Sequence, residues 1–138
     1  MIEQARAEGI DVTIDQYPYT ASSTGLSTLL PDELLSDGQD SIRARLGRPE
    51  IRKYAINHLL QRLKKRKLKH FSYAVVAYYR ADTTLNGKSI EEINRLKGRR
   101  RKARFEAETI IEMMENGGAS MVLHGMSEDD VRQIMKYP

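Results

Sequence analysis

The apolar residues of this chain change period several times, and each change marks an element. Ile2 and Ala5 lie on one side of "IEQARAEG", which reads as the end of a helix stopped at Gly9. Ile10, Val12 and Ile14 then alternate, the period of a strand. From Pro49 the spacing is helical: Ile51, Tyr54, Ala55, His58 or Leu59, and Leu63 share a face, with the proline tolerated in the first turn and the helix running to about Lys67. "FSYAVVAYY", residues 71–79, is aromatic and β-branched at both parities, which predicts a strand covered on both faces.

Ser89 and Glu92 form a capping-box pattern that starts a helix ended by Gly98. Residues 102–115 predict a further helix with Ala103, Ala107, Ile110, Ile111 and Met114 on one face, stopped at Asn116-Gly117-Gly118. "ASMVLHG" predicts a strand. Ser127 with Asp130 caps a last helix in which Val131, Ile134 and Met135 face inward, and Tyr137-Pro138 is its stop. Between Thr20 and Gly47 the chain reads as loop, with one short helix near residues 41–46. Both ends suggest parallel-sheet α/β steps, whereas the middle is helix, strand, helix, helix.

Charge sharpens that division. Residues 1–47 carry 3 Lys/Arg against 8 Asp/Glu, residues 48–105 carry 18 against 4, and residues 106–138 carry 2 against 7. A basic middle between acidic flanks points to a separate structural unit set into a scaffold. The longest uncharged stretch, residues 16–31, contains two prolines and six Ser/Thr, so no membrane span is expected. Cysteine is absent, which removes thiolate chemistry and suits a reducing, cytoplasmic compartment.

Candidate chemistry is sparse. His58, His70 and His124 stand in no metal-ligand spacing, and "SSTG" lacks the glycines of a nucleophile elbow. The basic runs "KKRKLK" (64–69) and "RRRKAR" (99–104) suit phosphates, but each lies at a helix end where solvated positive charge is ordinary. Nucleic acid or an acidic partner is therefore the alternative reading. The uncharged, hydroxyl-rich segment "DQYPYTASSTG" supplies two tyrosines and two serines able to line a pocket for a polar ligand with an apolar tail.

"ARAEGIDVTIDQYPYTASSTGL", "LLPD", "LNGKSIEEI" and "GGASMVLHGMSEDDVRQIMKYP" together resemble the N-acyl-D-amino-acid deacylase (D-aminoacylase) family of metal-dependent amidohydrolases, strongly at both ends of the chain and weakly in the middle. The resemblance implies a hydrolase of linear amides that releases a D-amino acid and a carboxylate. Its fold would be a (β/α)8 barrel with zinc at the mouth and a small α+β domain inserted between barrel units. It implies Tyr17 and Ser23 as hydrogen-bonding contacts to the substrate carboxylate and Met126 in the side-chain pocket, with Tyr19 and His124 as further substrate-facing candidates.

The family's metal ligands come from a His-x-His motif, a cysteine and two further histidines, and its catalytic aspartate from a "GSDG"-like strand. None of these stands in this sequence. The expectation is therefore an α+β (α/β) chain that behaves as an internal fragment of a zinc-dependent deacylase: partial barrel units at 1–29 and 114–138, a two-layer inserted domain at 30–113, no catalytic or metal-binding residues of its own, and no activity in isolation.

Overall fold

A computed structural model describes residues 1–136, and the stop expected at Tyr137-Pro138 lies outside the described residues. The chain divides into two compact units. One is discontinuous, residues 1–20 with 126–136, and the other is the continuous stretch 21–125.

In the discontinuous unit, α1 (Ile2–Ala7) ends in a turn where the Ile10 amide donates to the Ala5 carbonyl at 3.0 Å. Gly9 sits at φ +81°, a conformation that side-chain-bearing residues rarely adopt, so the expected glycine stop is present. The segment after it forms no strand pairing among the described residues: Val12 and Ile14 are half-buried and Ile10 is exposed. The alternation was legible, but an extended segment becomes a strand only when a neighbour supplies hydrogen bonds. The Met126 amide donates to the Thr20 carbonyl at 3.1 Å, tying the two segments of this unit. α6 (Glu128–Met135) starts at the Ser127/Asp130 capping box and buries Val131, while Ile134 and Met135, expected inward, are substantially exposed.

The continuous unit is a small α+β domain. Its strands β1 (Ala21–Gly25), β2 (Ala74–Tyr78) and β3 (Ser120–His124) form an antiparallel sheet in the order β1-β3-β2, so the parallel arrangement expected at the ends is replaced by an antiparallel one. Register pairs Ser23 with Val122 and Val75 with Val122, putting Ser23, Val75, Val122 and His124 on one face; Ala74, Val76 and Met121 occupy the other and are fully buried. A bulge between Val76 and Tyr78 bends β2. β1 lies in the stretch read as loop: its Ser-Ser-Thr sequence offers no apolar alternation, and pairing with β3 alone makes it a strand.

The helices of this unit are α2 (Gly38–Leu46), α3 (Pro49–Lys65), α4 (Ile90–Leu96) and α5 (Ala103–Glu115), and α5 packs against the other three. α5 is the hub because its burial extends around much of its circumference, from Ala107 and Thr109 through Ile110, Ile111, Met113 and Met114. Each fully buried aliphatic side chain of this size contributes roughly 1.5–3 kcal/mol. Arg52 of α3 bridges Glu108 at 2.9 Å and Glu115 at 2.7 Å, and α2 caps the end of α5 through Gln39 Nε2 on the Met114 carbonyl and Arg43 Nε on that of Glu115. The Ser89/Glu92 capping box starts α4 as expected.

The boundaries thus fall at 20/21 and 125/126 rather than at 29/30 and 113/114. β3 is the middle strand of the sheet, which draws 114–125 into the unit, and its pairing with β1 draws in 21–29.

Candidate functional site

In the discontinuous unit a cleft of about 690 Å³ is lined by Ile2, Ile14, Gln16, Tyr17, Met126 and Ile134 among others. Two of the five substrate-facing candidates meet here, brought together from opposite ends of the chain. Met126 arrives through its amide bond to Thr20 and the capping box that starts α6 immediately after it. Tyr17 is 53% exposed, and its ring meets that of Tyr19 edge-on with centroids 5.2 Å apart. Such a pair stabilises by about 0.5–1.5 kcal/mol beyond area and restrains both rings. Tyr19 is therefore positioned to act on Tyr17, although it does not line the cleft.

Ser23 and His124 belong to the other unit. They share the exposed face of the sheet, Ser23 on β1 and His124 at the end of β3. The His124 carbonyl accepts a hydrogen bond from Arg66 at 3.1 Å, and Arg66 also lies over the Tyr73 ring at 4.1 Å. One basic residue of the run 64–69 is thus committed to packing.

The cleft is apolar along Ile2, Ile14, Met126 and Ile134 and polar at Gln16, Tyr17 and Gln133. That combination suits an amphipathic ligand of small-molecule size. It does not suit a hydrolytic zinc: of metal-ligating residue types, the lining holds Asp15 alone, whereas such a metal needs about three protein ligands.

Among the described residues, His70, Glu91 and Glu106 are the one group of three donors close enough to share an ion. They belong to the continuous unit. Glu106 is 0% exposed, and its two oxygens are already engaged, Oε1 with His70 Nδ1 at 2.6 Å and Oε2 with the Phe71 amide at 2.7 Å. Glu91 accepts from Arg101 at 2.6 Å. Both carboxylates are thus held by protein donors, which makes the group a buried polar clamp on the start of the 71–73 turn. Sequence spacing gave no sign of it, since His70 and Glu106 are joined only by packing. His58, the third histidine, is held below the ordinary imidazole range by burial and by the Arg62 charge, and its Nε2 is buried without a partner.

The two basic runs diverge. Arg99 pairs with Glu112 and Arg101 with Glu91, while Lys64, Lys65, Lys67 and Lys69 are exposed and make no ion pair among the described residues. No helix among the described residues is long and apolar enough to cross a membrane. Comparison with family models, curated proteins and solved structures finds no match for this chain.

Proposed function

We propose that the discontinuous unit is a substrate-binding surface of the N-acyl-D-amino-acid deacylase type, and that its cleft takes the acylated amino acid with the apolar side chain toward Met126. The observation that carries the reading is the meeting of Tyr17 and Met126 in one cleft, the two positions that the motifs "DQYPYTASST" and "GMSEDDV" mark. Hydrolysis of the amide requires a metal-activated water, and the cleft holds no ligand set for the metal. On this reading the chain binds substrate and does not turn it over.

Titration of the protein with N-acetyl-D-methionine and with its L enantiomer, followed by chemical-shift changes at Tyr17 and Met126, tests this. The D form should bind more tightly, and Tyr17→Phe should weaken it by about tenfold through loss of a hydrogen bond. Equal response to both enantiomers, or none to either, would remove the proposal.

The unpaired lysines of the 64–69 run favour a second reading, binding of nucleic acid or another polyanion. If four of them contact phosphates, affinity for a short duplex should fall with a log–log salt slope of about −3 to −4. A flat salt response dismisses that reading.

A further inference from the structure

At one end of its sheet the continuous unit holds a cavity of about 480 Å³. The cavity borders the cross-strand rung in which Ser120 of β3 pairs with Gly25 of β1 on one side and with Tyr78 of β2 on the other. Gly25 contributes no side chain to that rung, and the bulge between Val76 and Tyr78 re-aims β2 at this point. The turn after α5 forms a further wall. There the Gly117 and Gly118 amides donate to the Met114 and Met113 carbonyls at 3.2 and 2.8 Å, a helix end that calls for one left-handed residue. Both glycines are left-handed, at φ +100° and +70°, so this wall is bare backbone that a ligand can approach closely.

The charge of the lining is of one sign. Arg80 is exposed and makes no ion pair or hydrogen bond among the described residues, and no carboxylate stands among the lining residues. Asp82, the nearest carboxylate along the chain, accepts from the Thr84 amide and hydroxyl at 3.0 and 2.6 Å. The hydroxyls of Ser27, Tyr78 and Ser120 also have no protein partner among the described residues. Ser27 is half-buried and the other two are exposed, so all three can meet an occupant. A guanidinium fork matches the two oxygens of a carboxylate, and one cation with no second beside it in the lining matches a monoanion rather than a phosphate dianion. Tyr78, 53% exposed, and the half-buried Leu35 offer apolar surface for the rest of the ligand. The volume lies within the range of small-molecule sites and exceeds what a bare carboxylate fills. We infer that this cavity binds an aromatic monocarboxylate, its carboxylate on Arg80 and its ring against Tyr78.

Titration of the full chain with phenylacetate, acetate and 2-phenylethanol at low ionic strength, followed by amide chemical shifts, tests the inference. Phenylacetate should bind at least about fivefold more tightly than acetate, which lacks the ring, or 2-phenylethanol, which lacks the charge, and should shift the amides of Gly25, Gly118 and Ser120. Arg80 and Tyr78 are exposed, so replacing them leaves the core intact. Arg80→Gln should weaken phenylacetate by about fivefold or more and leave 2-phenylethanol unchanged, while Tyr78→Ala should weaken phenylacetate by about threefold and leave acetate unchanged. Phenylacetate binding no better than acetate, indifference to Arg80→Gln, or shifts confined to Tyr17 and Met126 would each overturn the assignment. The residues concerned are disjoint from the cleft, so failure here leaves the N-acetyl-D-methionine test standing.

Discussion

Residues 21–125 bury Leu59, Phe71, Ile110 and Met121 completely, whereas residues 1–20 and 126–136 bury one large apolar side chain, Val131, and leave Ile10, Tyr17, Tyr19, Ile134 and Met135 exposed by two fifths or more. The two units have similarly patterned sequences and use them differently. In the continuous unit the apolar positions of β2, β3 and the helices close on one another. In the discontinuous unit the same kinds of residue line an open cleft. Buried apolar area is therefore concentrated in one unit and exposed apolar surface in the other, and the substrate-binding role proposed for the second would draw on the less stable part of the molecule.

The most direct way to break this comparison is to remove one large side chain from each unit. Phe71→Ala should destabilise the protein by about 3–5 kcal/mol in urea unfolding, because a fully buried ring leaves a cavity that α4 and α5 cannot fill. Ile14→Ala should cost less than about 1 kcal/mol, since its side chain is only half-buried. Equal losses would mean that the cleft unit is as tightly packed as the core.

Glu106 offers a second test within the continuous unit, where the core is polar. Glu106→Ala removes the carboxylate that holds His70 Nδ1 and the Phe71 amide, leaving a buried donor unsatisfied. We expect a loss of about 2–4 kcal/mol in the same unfolding measurement. Glu106→Gln keeps one acceptor and should recover part of it. If Glu106→Ala is neutral, the clamp contributes nothing and the 71–73 turn is held by Phe71 packing alone.

How far the sequence reached differs between elements for physical reasons. α3, α4, α5 and α6 were legible because their apolar spacing and end signals, Pro49, Ser89/Glu92 and Ser127/Asp130, are local. β3 was legible as an apolar run between glycines. β1 was not, because its strand character comes from a partner almost a hundred residues on, and Ser22-Ser23-Thr24 carries only hydroxyls and the β-propensity of one threonine. The direction of the sheet was misread for a related reason: a helix followed by a strand does not fix which neighbour that strand finds. At the cleft, the motif resemblance marked Tyr17 and Met126, while Ile134 was assigned to an inward face and instead borders the cleft. The Glu106 clamp was illegible, since it depends on which groups packing brings near.

Acid titration sharpens the comparison further. Glu112 is opposed by burial, but hydrogen bonds from Arg99 and Lys97, together with their charges, outweigh it and hold the carboxyl below its ordinary value of 4.5. A carboxylate whose folded value is the lower one binds fewer protons folded than unfolded. The stability it contributes is complete above about pH 4.5 and is lost as pH falls through the folded value. Glu112→Gln should lower stability by about 1–2 kcal/mol at pH 6, and the difference from the unaltered protein should close below the folded value. A constant difference down the whole acid limb would show that Glu112 acts by packing and not by charge.

The smallest effect gives the cleanest contrast, because the molecule contains the same capping device once in each unit. Ser89 accepts from the Glu92 amide at 3.2 Å and Ser127 from the Asp130 amide at 3.1 Å, each with the reciprocal carboxylate bond to the serine amide. Replacing either serine by alanine removes one helix-end acceptor, worth about 1 kcal/mol. Ser89 is buried at the base of α4, whose Ile90 and Ile93 are in the core, so Ser89→Ala should lower the global unfolding free energy by that amount. Ser127 is exposed and α6 buries Val131 alone, so Ser127→Ala should leave global unfolding nearly unchanged and speed amide exchange along 128–135 by about fivefold. Matching global losses from the two caps would show that α6 unfolds with the core and that the cleft unit has no local opening of its own.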